Sequence, residues 1–203
     1  MQNFIFNPFH RIAGLKALGL GFLIIVITAL FAFLFNTHFP GLLDIKYGYK
    51  ETYGFLNFLS YGIVNLMSMS VFIYLAGLLL SKSSVRFIDV IGTQTLARAP
   101  LLLAPFLNTS GLIEKGGAYL LFKYLEHGHP TSLSRVEFIL FIFFTLLMIL
   151  LIAWMITLMY NAYKVSCNVK GSKAVVSFII IIFLVEILTL YLNHLAQLFL
   201  LNL

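Results

Sequence analysis

Two side chains of opposite charge lie deep inside apolar runs of this sequence, and they are the residues best placed to do chemistry. Arg98 lies about ten residues into a run opening near Ile88, roughly 15 Å at 1.5 Å per residue. Glu186 lies about twelve residues into a run opening near Ala174, roughly 18 Å by the same rise. In hydrocarbon such charges face a bundle interior or a wet cavity. Bringing the two together spares each an uncompensated buried charge, whose cost is several kcal/mol. The spacing therefore predicts an intramembrane ion pair, Arg98–Glu186. If Glu186 lacked that partner, desolvation would raise its pKa and let it carry a proton.

Polar neighbours extend this reading. Thr189, Asn193 and Gln197 follow Glu186 by three, seven and eleven positions, which at about 100° per residue keeps them on one helix face. His194 flanks that stripe. Gln94 sits one turn before Arg98 on the same face, and Asn57, Tyr61, Asn65 and Ser68 share an arc of another run. Pro100 has no N–H, which frees the Leu96 carbonyl, marks a helix kink, and places Arg98 to donate to that carbonyl. Two uses follow: a polar pair holding two helices in register, or a pathway or pocket for a polar solute, proton or lipid headgroup.

Other chemistries find little support. His127 and His129 flank Gly128 beside Glu126, and a metal site would need a further ligand such as His38; solvated loop histidines are the expectation. Lys170-Gly171-Ser172-Lys173 lacks phosphate-loop spacing. No serine, histidine and carboxylate fall at matching depth. Cys167, the single cysteine, excludes an internal disulfide and sits in a short basic loop, where an inert thiol is favoured over an acylated one. No catalytic residue, metal or cofactor is expected.

The elements that must position these residues follow from composition. Of 203 residues, 61% are apolar or aromatic and 10% are charged, against roughly a quarter charged in soluble domains. Mean hydropathy is +1.01. One soluble core cannot hide that much apolar surface, so a soluble enzyme, a nucleic-acid-binding domain and a disordered tail are excluded. At roughly 20 residues per crossing, the chain reads as a single all-α domain, a polytopic bundle of five spans near 15–35, 57–80, 88–108, 137–160 and 174–200. The first run is too long for a signal-peptide core and no A-x-A site follows it, so it is expected to remain as the first span.

Lys and Arg set the orientation. Arg11, Lys16, Lys82, Arg86, Lys164, Lys170 and Lys173 fall on one side, and Lys46, Lys50, Lys115, Lys123 and Arg135 on the other, the latter accompanied by Asp44, Glu51, Glu114, Glu126 and Glu137. The basic excess puts the N-terminus in the cytoplasm and the C-terminus outside. Ala118 to Glu126 reads as a short interfacial helix. Phe138 to Ile156 is almost wholly apolar and should face lipid, while Ala17 and Gly21 give a small-xxx-small spacing for close helix approach.

The run Arg86 to Pro100 (RFIDVIGTQTLARAP), the stretch Tyr160 to Gly171 (YNAYKVSCNVKG) with Glu186 downstream, and the opening Asn7-Pro8-Phe9-His10-Arg11 together resemble bacterial members of the Yip-domain family. These are five-span integral membrane proteins related to eukaryotic Rab-GTPase-interacting proteins. The resemblance implies five spans, a cytoplasmic N-terminus and a bacterial cytoplasmic membrane. The eukaryotic relatives bind GTPases, often through a longer N-terminal region; only about a dozen residues precede the first span here, and GTPase binding is not expected. The expected function is a non-enzymatic membrane scaffold or interaction protein, assembling with itself or with other membrane proteins in the lipid bilayer. The alternative is a transporter or permease-like component with a polar pathway around Arg98 and Glu186.

Overall fold

The computed structural model describes residues 5–48 and 53–201; Lys50 and Glu51, counted above with the first outer loop, lie outside these residues. Among the described residues the α-helices are α1 (Gly14–Leu34), α2 (Phe55–Leu80), α3 (Phe87–Leu96), α4 (Leu112–Leu125), α5 (Arg135–Cys167) and α6 (Gly171–Leu201). A short antiparallel ladder, β1 (Thr37–His38) with β2 (Lys46–Tyr47), pairs Thr37 with Tyr47 and His38 with Lys46. Five helical segments are long and apolar enough to cross a membrane: α1, α2, α3 continued through residue 108, α5 and α6. The fourth runs seven residues beyond its expected end, to Cys167 rather than residue 160.

The third segment changes character at Arg98. Past α3 the chain winds as a 3-10 helix over Ala99–Asn108, with Pro100 at its start and Pro105 inside it. Proline cannot donate to an α-helical ladder, and the tighter winding rises about 2 Å per residue instead of about 1.5 Å. Ten residues of each kind therefore reach about 35 Å, enough for roughly 30 Å of hydrocarbon. This segment is the centre of the bundle, with 61% of its apolar window buried against 11% for α5. The apolar face expected of Phe138 to Ile156 is thus outermost.

Small residues let α1 cross α3 closely. A Cβ on Gly21 would come within 2.7 Å of the Leu96 amide nitrogen, and one on Gly92 within 2.5 Å of the Gly14 carbonyl oxygen. Ala17, one turn from Gly21, is fully buried. Helix α5 opens on a reciprocal cap: Ser134 N donates to Glu137 Oε2 at 2.8 Å, and Glu137 N to Ser134 Oγ at 3.2 Å. It closes at Asn168, in the left-handed region at φ 50°. The interfacial helix expected near 118–126 is α4, which begins earlier at Leu112 and packs on α5.

Candidate functional site

The chain leaving α1 turns at Asn36, with φ 49°, a conformation asparagine tolerates. It then dips back into the bundle: Thr37, His38, Phe39 and Leu42 are all buried. The backbone between β1 and β2 has no ladder partners of its own, and at membrane depth such backbone persists only where protein satisfies it. The polar residues of α2 and α6 do so. Asn65 Nδ2 donates to the Phe39 carbonyl at 2.9 Å and to the Gly41 carbonyl at 2.7 Å. Asn193 Nδ2 donates to the Pro40 carbonyl at 2.8 Å and to Asn65 Oδ1 at 2.8 Å. Leu43 N donates to Glu186 Oε2 at 2.8 Å.

Glu186 lies about 22 Å from the start of α6, halfway along it, so this hairpin reaches the middle of that helix. Gly41 leaves room there for the Glu186 carboxylate, which a side chain at position 41 would displace. One turn beyond Asn193 toward the end of α6, Gln197 Nε2 donates to the Asn57 carbonyl at 3.1 Å and to Ser60 Oγ at 3.0 Å, and Asn57 Nδ2 returns a bond to Gln197 Oε1. Thr189 is buried but donates within its own helix, to the Val185 carbonyl at 2.8 Å. Tyr47 anchors the returning strand, its hydroxyl donating to the Ala104 carbonyl of the 3-10 segment at 3.3 Å. Burial pushes the Tyr47 hydroxyl above its ordinary pKa, keeping it a donor.

Between the hairpin, α2 and α6 lies an open cavity of about 410 Å³. Tyr53 and Tyr61, His38 and His194, Lys46 and Gln197 line it, and Pro40 with Asn193 stands at the hairpin side. Asn193 is fully buried, and its Oδ1 hydrogen-bonds to no protein atom. The cavity combines aromatic faces with hydroxyl, imidazole, ammonium and amide groups, which suits a small polar ligand that both donates and accepts hydrogen bonds.

The expected ion pair is not formed. Arg98 is 3% exposed, and neither its Nε nor its Nη2 meets a protein acceptor; it does not bond the Leu96 carbonyl either. Glu186 meets the Leu43 amide instead. Matching depth on two helices does not make two side chains meet: α6 packs mainly on α2, and α3 mainly on α1. Gln94 also departs from the expected stripe, since its Nε2 donates to the Met159 carbonyl of α5 at 3.1 Å. The stripe that does form joins Asn65, Asn193 and Gln197 to Asn57 and Ser60. Pro100 is where expected, at the junction of α3 with the 3-10 segment.

His38 is buried and donates through Nε2 to the Gly48 carbonyl at 2.8 Å, whereas His127 and His129 are exposed. Among the described residues no group of three or more His, Cys, Asp or Glu could hold a metal ion. Cys167 is buried, its thiol directed at the Ile73 carbonyl. The roles of Tyr47, Tyr53 and the inserted hairpin escaped the sequence reading. The signal available for them was the apolar Phe39-Pro40-Gly41-Leu42-Leu43 inside the first outer loop. The chain matches no protein-family model, no curated protein and no solved structure.

Proposed function

We propose that this chain is a five-span protein of the bacterial cytoplasmic membrane, with its N-terminus inside, that acts without catalysis by binding a small polar ligand or lipid headgroup in the outward-facing cavity. The Yip-domain resemblance carries the choice of membrane, and the basic excess on the Lys82 side carries the orientation. The observation that carries the binding role is the orphan acceptor of Asn193 beside a cavity of about 410 Å³ walled by tyrosines, histidines and Lys46. Binding there serves an interaction protein, because the occupant would touch the hairpin that joins α2 to α6.

Native mass spectrometry from nanodiscs tests the reading. A bound small molecule or lipid should accompany the wild-type chain and be lost from the folded His194→Leu, Tyr61→Phe double variant; equal adducts in both, or none in either, refute it. Impermeant thiol labelling in a Cys167→Ala background tests the orientation. Cysteine at position 127 should label in intact cells and cysteine at position 82 only after lysis.

A second reading, a permease-like component, is favoured by one observation: the hydrogen-bonded pair Asn193–Asn65 links the cavity to the surroundings of Arg98. Arg98→Gln would then abolish solute flux in liposomes while leaving ligand adducts in place. A headgroup-binding protein would have no such flux to lose.

A further inference from the structure

We propose that Arg98 and Thr28 hold a single halide-sized anion inside the bundle. Arg98 is 3% exposed, and its Nε and Nη2 both lack a protein acceptor. These two nitrogens share one edge of the planar guanidinium, the edge that takes an anion side-on through two parallel N–H bonds. No carboxylate neutralises it among the described residues, since Glu186 is engaged by the Leu43 amide. A buried guanidinium without a counter-charge is costly, and an anion at this edge removes the cost.

A cavity of about 20 Å³ lies at this position, lined by Arg98, Thr28 and Asn65 together with apolar side chains including Ile25, Phe39 and Phe58. One water-sized sphere needs roughly 10–15 Å³, so the space accepts a monatomic ion.

The polar wall decides its sign. The Thr28 hydroxyl is buried without a partner. Both hydrogens of Asn65 Nδ2 go to the Phe39 and Gly41 carbonyls, and Asn65 Oδ1 already accepts from Asn193. The unmet groups are therefore donors: two guanidinium N–H bonds and one hydroxyl. A halide accepts from all three and carries the missing charge, whereas a water molecule leaves the charge uncompensated. The site is separate from the outward cavity and does not depend on how that cavity is used.

Bromide is the probe. Thermal unfolding of the detergent-solubilised protein in sodium bromide, against sodium gluconate at equal ionic strength, should show saturable stabilisation. At bromide a hundredfold above its dissociation constant, the unfolding constant falls about 100-fold. Arg98→Gln should abolish the bromide effect and Thr28→Val should weaken it. Crystals grown in bromide should give an anomalous peak within hydrogen-bonding distance of the Arg98 Nε–Nη2 edge. If Arg98→Gln does not fold, the wild-type anomalous map decides alone. Equal stability in bromide and gluconate, or a map with water and no bromide at that edge, overturns the proposal.

Discussion

Replacing Asn65 by leucine removes the hinge-pin of the inserted hairpin while keeping the branching and heavy-atom count of the side chain. Three hydrogen bonds go: those to the Phe39 and Gly41 carbonyls and the one accepted from Asn193. Interhelical side-chain bonds in membrane proteins average about 0.6 kcal/mol and reach about 1.7 kcal/mol. Losing three therefore costs roughly 2–5 kcal/mol, toward the upper end if both carbonyls stay buried without a donor. Reversible unfolding in mixed micelles would read this directly. Asn193→Leu removes two bonds, one of them shared, so the double variant should fall short of the sum of the singles by about 0.6–1.7 kcal/mol. Leu42, 2% exposed, gives an independent readout. In a Cys167→Ala background, Leu42→Cys should resist thiol reagents in the parent and react quickly once Asn65 is leucine. A stability change under about 0.5 kcal/mol with position 42 still protected would refute the view that this network holds the hairpin in place.

The close crossing of α1 on α3 predicts opposite outcomes for neighbouring glycines. Gly21→Ala should lower the melting temperature, since the new Cβ falls 2.7 Å from Leu96 N, while Gly19→Ala, with nothing within 4 Å, should leave it unchanged or raise it slightly. Gly41→Ala should destabilise by driving a methyl group into the Glu186 carboxylate, and Glu186→Ala in the same chain should restore part of that loss, because it removes the clashing group. Tyr47→Phe should flatten the alkaline limb of a stability profile. The folded pKa of Tyr47 is raised, so its contribution is complete below its ordinary value of 10.0 and is lost as pH climbs through the folded value; identical profiles for parent and variant would show that Tyr47 does not anchor the strand.

What the sequence made legible is what one dimension can encode. Runs of apolar residues fixed the helical segments, because hydrocarbon thickness sets their length. Periodicity placed Asn65, Asn193 and Gln197 on inward faces, because each would otherwise lie against lipid. Depth along a helix is also one-dimensional, which is why the sequence places Glu186 near the middle of its span. Azimuth between helices is not. Whether α6 meets α3 or α2 depends on packing that no single run records, and the expected pairing of Arg98 with Glu186 failed there. Pro100 and Pro105 announced an irregular third segment, yet its ten-residue 3-10 stretch depends on the neighbours that surround it. The inserted hairpin was hidden for another reason: its polar partners are backbone groups, which every sequence carries and none displays.

The hairpin also explains why so many polar side chains stand inside these helices without a catalytic task. A membrane bundle can bury irregular backbone only if each amide and carbonyl meets a partner, and here the partners come from different elements. Asn65 belongs to α2, Asn193 and Glu186 to α6, and Ala104, which receives the Tyr47 hydroxyl, to the 3-10 segment. Tyr47 also reaches Met148 on α5 at 3.9 Å. A single inserted segment is thus hydrogen-bonded to four of the five long elements, while α6 and the third segment share little direct packing. Any occupant of the cavity beside the hairpin that moves Pro40 or Tyr47 acts on all of these contacts together. Coupling between ligand and helix arrangement would therefore run through the hairpin, where the two orderings can compete, and not through a charge pair at the centre of the membrane.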